Sequence, residues 1–84
     1  MKTLTLDFYS DPGHGWLKVD IQDLKELSIA DKISSYSYKK ANTAYLEEDC
    51  DAYLFMETAK QKGWQIEVKD HYQENTPIRN YPRY

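Results

Sequence analysis

Cysteine occurs once in this chain of 84 residues, at Cys50, so no internal disulfide can form. A reducing cytosol is therefore the expected compartment. No apolar run approaches the roughly 20 residues of a membrane span. The opening Met1-Lys2-Thr3-Leu4-Thr5-Leu6-Asp7 is too short and too polar for a secretory signal. Positive charge is not in excess: 11 Lys and Arg stand against 14 Asp and Glu, net -3. That argues against a whole-surface footprint for nucleic acid and leaves room only for a local basic patch. Glycine and proline are scarce, three of each, and neither an internal repeat nor a low-complexity segment is present. The length allows one domain. A domain of this size buries only about 60% of its unfolded surface, so its stability margin is thin.

What is present in quantity is tyrosine, 8 residues against 2 Phe and 2 Trp, within a hydrophobic fraction of 40%. Global disorder is not expected at that fraction. Tyrosine joins apolar area to a polar tip and suits a half-buried sheet face or a binding surface better than a dry core.

Along the chain, Leu4, Leu6 and Phe8 alternate with Thr3, Thr5, Asp7 and Tyr9, the period of a half-buried strand. A loop at 10–15 follows, and Trp16–Val19 reads as a short strand or an extended lead. Asp20 is a good N-cap for a short helix over about 20–28, with Ile21, Leu24 and Leu27 at steps of three. Ile33–Lys40 and Ala44–Glu47 read as a hairpin, with Tyr36 and Tyr38 on one strand face and Asn42 supplying the left-handed turn. Ala52, Phe55, Met56 and Ala59 form one stripe of a longer helix over about 49–62, capped by Glu48 or Asp49 and closed by Gly63. Trp64, Ile66 and Val68 alternate as a last strand. Pro77 and Pro82 make 72–84 an extended C-terminal arm after an α+β domain at 1–71. With the short strand set aside, the order is β-α-β-β-α-β. The expected fold is α+β: a single small domain with a mostly antiparallel sheet and two helices on one face. The split βαβ of ferredoxin-like domains is the candidate topology, and an irregular α+β sheet the alternative.

Four stretches offer chemistry. In Asp11-Pro12-Gly13-His14-Gly15-Trp16-Leu17, Gly13 and Gly15 flank His14. Exposed amides there suit a phosphate or carboxylate, with His14 as a donor; the plainer reading is a tight turn with Trp16 packed. The spacing matches neither a dinucleotide fingerprint nor a P-loop. His14, His71, Cys50, Asp11 and Asp70 are potential metal ligands, but no pair has a recognisable ligand spacing, and neither a metal nor a cofactor is expected. Cys50 between Asp49 and Asp51 reads as a small packing residue rather than a nucleophile. The end Ile78-Arg79-Asn80-Tyr81-Pro82-Arg83-Tyr84 interleaves guanidinium and phenol, side chains enriched at binding hot spots. The expected binding surface is Tyr36, Tyr38, Tyr45, Arg79, Tyr81 and Arg83, with His14 and Trp16 at its margin.

The loop Asp11–Leu17, the stretch Lys32-Ile33-Ser34-Ser35-Tyr36-Ser37-Tyr38, the stretch Tyr45-Leu46-Glu47-Glu48-Asp49-Cys50-Asp51 and the Arg/Tyr-rich end carry a resemblance. Together they resemble a group of small uncharacterised proteins encoded by tailed bacteriophages, whose members would have glycine at the position of Ala41. The resemblance implies no activity. It implies a context, an accessory protein in the cytoplasm of an infected bacterium. The expectation that follows is a non-catalytic binding protein for a host or phage protein, blocking a defence or host enzyme. A nucleotide or phosphorylated ligand held by the His14 loop is the alternative. A small hydrolase or nuclease using His14 and His71 is a third reading, and an uncapped edge strand would admit a homodimer.

Overall fold

Residues 2–84 are described by a computed structural model. Strand β1 (Thr3–Ser10) turns back into β2 (Gly15–Asp20). Asp20 then caps helix α1 (Ile21–Glu26), its carboxylate accepting from the Gln22 amide at 2.8 Å. A 3-10 turn at Ala30–Lys32 leads to the hairpin β3 (Tyr38–Lys40) and β4 (Thr43–Glu47). Helix α2 (Asp51–Gln61) returns the chain to β5 (Gln65–Tyr72), and a second 3-10 turn occupies Pro77–Asn80. The five strands form one mixed sheet in the order β3-β4-β2-β1-β5. Among these pairings only β1 with β5 is parallel.

The fold is α+β, and both helices lie on one face. Leu17 and Val19 of β2 and Ala44 and Leu46 of β4 meet Leu24 and Leu27 of the first helical segment and Ala52, Phe55 and Ala59 of α2. Leu4, Leu6, Phe8 and Ile66 extend this layer along β1 and β5. No helix among the described residues is long and apolar enough to cross a membrane.

Of the two readings of Trp16–Val19 the strand is the one observed, and it inserts between β1 and β4. The strand order therefore departs from the split βαβ: β1 pairs in parallel with β5, and the α2 crossover passes over two strands. Several other local expectations are corrected. Only Tyr38–Lys40 of the expected strand 33–40 pairs as a strand. The serines before it turn inward instead, because Asp51 captures them: its Oδ2 accepts from the Ser34 amide at 3.0 Å, from the Ser34 hydroxyl at 2.7 Å and from the Ser37 hydroxyl. The left-handed residue of the hairpin turn is Ala41 (φ 54), not Asn42. The N-cap of α2 is Cys50, which makes no side-chain cap bond, rather than Glu48 or Asp49. Gly63 does take the left-handed conformation (φ 79) that ends this helix.

The C-terminal arm is neither free nor wholly extended. Ile78 is 3% exposed and packs with Trp16 and Tyr45 on the face opposite the helices. The chain then rounds the β3 edge: the Lys39 amide donates to the Pro82 carbonyl and the Tyr84 amide to the Ser37 carbonyl, each at 2.8 Å. The Tyr84 hydroxyl reaches the Ala30 carbonyl at 2.7 Å, on the helix side. The arm is a strap that starts on one face of the sheet and ends against the other.

Candidate functional site

The site grows from the β1–β2 loop. Asp11 accepts from the amides of Gly13 (3.0 Å) and His14 (2.9 Å), and its own amide donates to the His14 carbonyl (2.9 Å). This is an Asx turn, in which the aspartate side chain replaces a backbone acceptor. The same carboxylate takes a two-pronged bond from Arg79 of the strap, Nε to Oδ2 at 2.8 Å and Nη2 to Oδ1 at 2.9 Å. The Arg79 hydrogen bonds, reinforced by the two amides, hold the Asp11 carboxyl well below the usual carboxylate range. The guanidinium is correspondingly pushed up, by its bond to Asp11. Asp11 thus shapes the loop and ties the C-terminus to it.

Neither Gly13 nor Gly15 is left-handed; among the glycines only Gly63 is. Gly15 matters for its lack of a side chain. A Cβ there would run into Cζ and Cε2 of the Phe8 ring, so any side chain at this position has to displace that ring from β1.

Above this turn the aromatic rings and guanidinium groups assemble in alternation. His14 lies beside Trp16, with ring centroids 5.9 Å apart. Trp16 meets Tyr38 edge-on at 6.2 Å. Arg79 sits over the Trp16 ring at 5.5 Å, and Arg83 over the Tyr38 ring at 5.4 Å. Arg83 is also held by the Ser35 carbonyl at 2.9 Å. These side chains line an open cleft of about 490 Å³ whose remaining wall is Tyr36, Glu47, Asp49 and Cys50.

The structure therefore brings together His14, Trp16, Tyr36, Tyr38, Arg79 and Arg83, from three separate stretches of chain. Their roles in the cleft differ. Trp16, 2% exposed, is its floor, while Tyr36, 68% exposed, stands in the bend before β3 and not on a strand face beside Tyr38. Tyr45 and Tyr81 fall in a second recess of about 280 Å³, with Tyr9, Lys18 and Ile78. Their rings are 5.2 Å apart, and burial, then the neighbouring Tyr81, pushes the Tyr45 phenol above its ordinary pKa.

His14 and His71 do not meet in the cleft. His71 is engaged elsewhere, bonded to Asp7 at 2.9 Å and stacked on Tyr9 at 5.0 Å, while His14 faces the cleft. Cys50 is exposed on the cleft wall rather than packed, contrary to expectation. Its thiol is pushed up by the charge of Asp51 beside it and then by desolvation, which keeps it protonated and weakly nucleophilic. Among the described residues no group of three or more His, Cys, Asp or Glu is placed to hold a metal ion.

Sequence reasoning did not give Asp11, Glu47 and Asp49 the parts they play here. Asp11 was visible as a signal, since Asp two residues before a glycine favours an Asx turn, but its Arg79 partner lies 68 positions away. The acidic run 47–51 reads locally as a capped helix start or as an acidic surface for a basic partner, and nothing in the pattern aims it at the strap. Comparison with family models, with curated proteins and with solved structures finds no match to this chain.

Proposed function

We propose that this chain is a non-catalytic binding protein that holds a segment of a protein partner in the Trp16 cleft. The observation that carries this reading is the chemistry of the cleft wall. Arg79 and Arg83 share that wall with Glu47 and Asp49, around Trp16, Tyr36 and Tyr38. Two guanidinium groups and two carboxylates oppose each other in sign, and Arg79 is already paired with Asp11. A polyphosphate would meet those carboxylates at close range. A polypeptide segment, with its own mixture of charges and apolar groups, matches such a wall group by group. Aromatic and arginine side chains are also the ones that dominate protein–protein contact energies.

The resemblance to small tailed-phage proteins supports a setting for that partner, a host or phage protein in the cytoplasm of an infected bacterium. There a tight binder without catalysis would act by blocking a host or defence enzyme. The nucleotide-sequestering alternative draws on His14 and the two arginines and is weakened by Glu47 and Asp49.

The test is capture from bacterial lysate by immobilised wild-type protein, Tyr36→Ala, Arg83→Ala and, as control, Lys60→Ala on α2. The expected result is one stoichiometric protein retained by wild type and Lys60→Ala and lost by the two cleft variants. Equal capture by all four removes the cleft from the reading. A nucleotide panel run alongside by thermal shift decides the alternative: a ligand at 100 times its Kd adds about 2.7 kcal/mol of stability.

A further inference from the structure

The sheet has two edges, and the chain treats them in opposite ways. The β3 edge is closed by the strap, through Tyr38 paired with Arg83 and the bonds of Lys39 and Tyr84. The β5 edge is bare: among the described residues no strand or arm lies beyond it. Seven of its eight residues are exposed. Bare edges of this length are uncommon in stable folds, because each outward amide and carbonyl is a template for another strand.

The direction of those groups follows from two bonds. The Gln65 amide donates to the Lys2 carbonyl at 2.8 Å, and the Gln73 amide to the Ser10 carbonyl at 2.9 Å. In a parallel ladder every second residue turns its amide and carbonyl to the same neighbour. Glu67, Lys69 and His71 therefore bond toward β1, while Ile66, Val68, Asp70 and Tyr72 turn their amides and carbonyls outward. Beside this row lies exposed apolar surface. Val68 is 41% and Tyr53 of α2 65% exposed, and both line a groove of about 300 Å³ with Met56 and Phe8.

We infer that β5 is a self-association edge, pairing antiparallel with β5 of a second copy about a two-fold axis at Val68. On the face turned away from the helices the strand is its own complement in that register. Val68 meets Val68 of the second copy as a hydrogen-bonded pair, using the outward groups of both. Glu67 then lies opposite Lys69 of the second copy, and Lys69 opposite its Glu67, while Gln65 faces His71. Antiparallel registers centred on Glu67, Lys69 or Asp70 instead place two like charges face to face, which opposes pairing. A two-fold interface requires this kind of self-complementary patch, and a foreign strand has no reason to carry the matching alternation of charge. The result is one continuous sheet across the two copies, with both helix layers on the same side. This inference does not depend on the Trp16 cleft, which lies at the opposite edge with the strap.

The test is sedimentation velocity across a protein concentration series. Wild type is expected to pass from monomer to dimer. Val68→Pro is expected to remain monomeric while still folded, since the amide it removes takes no part in the β1–β5 ladder and proline is tolerated at such edge positions. Glu67→Lys and Lys69→Glu are each expected to be monomeric alone, because each puts like charges opposite one another across the axis. Mixed together they are expected to form a heterodimer, because the all-basic strand of one variant then faces the all-acidic strand of the other at these two positions. Circular dichroism on each variant confirms the fold. A wild type that stays monomeric throughout overturns the inference. So do charge variants that dimerise alone as wild type does, or a mixture that gains nothing.

Discussion

The two faces of this sheet are built from the same strands by opposite means. Under the helices, Leu17, Val19, Leu24, Leu46 and Phe55 are at most 2% exposed and make a dry aliphatic layer. Under the strap, Trp16, Tyr9, Tyr38, Tyr45 and Tyr81 gather around Ile78, and three of these rings lie beneath a cation. The first face is filled between β2, β4 and the helices and opens only toward β5, in the apolar groove of about 300 Å³ at Val68 and Tyr53. The second leaves recesses of about 490 and 280 Å³ lined by aromatic rings with polar tips and by charged side chains. The dry aliphatic burial is thus concentrated on one face and the polar, charged lining on the other.

Three substitutions would break or sharpen that contrast. The largest effect is expected for Phe55→Ala, on the helix face, where a side chain with 0% exposure is removed. A loss of about 3–5 kcal/mol follows for such truncations, which in a domain with so thin a margin should unfold much of the population. Chemical denaturation reads it directly; a loss under about 1 kcal/mol, well short of that range, would mean that the helix face does not dominate stability.

Ile78→Ala, on the strap face, is expected to cost less globally, about 2 kcal/mol, the low end for such a change. The strap can come away and leave the sheet intact, a local opening rather than global unfolding. Hydrogen exchange should then accelerate at Lys39, Tyr81 and Tyr84, whose amides the strap orders, and not at β1 or β2. Uniform acceleration across the sheet would make the two faces one cooperative unit.

Asp11→Asn is expected to have the smallest effect at neutral pH and a distinct pH signature. Because pairing with Arg79 depresses the Asp11 carboxyl in the folded state, its contribution is complete above the ordinary carboxylate range. It is lost progressively as pH falls from that range toward the depressed value, and is gone in strong acid. The melting temperature of Asp11→Asn should lie below wild type at neutral pH and converge with it under strong acid. Parallel curves would show that the strap is not tied down through this carboxylate.

Much of the helix face was legible without coordinates. Leu4, Leu6 and Phe8 alternate, Ala52, Phe55 and Ala59 recur at helical spacing, and both patterns place these residues where the structure has them. Asp20 and Gly63 marked helix ends correctly for local reasons, a side-chain acceptor for Gln22 in one case and a left-handed backbone in the other. The serine stretch before Tyr38 misled, since alternation of Ser and Tyr imitates a strand while Asp51, 14 positions beyond Ser37, bends it. Of the candidate site, the residue types in the loop and the tail were visible, but not that Arg79 closes onto Asp11 or that Glu47 and Asp49 share its wall.

By itself the sequence determined which side chains are apolar at which spacing, where backbone hydrogen bonding must be capped or turned, and that no disulfide can help. Those are local properties, decided by a residue and its near neighbours along the chain. Tertiary structure alone decided that β2 enters between β1 and β4, that the C-terminus straps over one face and closes one edge, and that the other edge stays open. Those outcomes depend on contacts between residues tens of positions apart, whose energies exist only once the sheet order has been chosen.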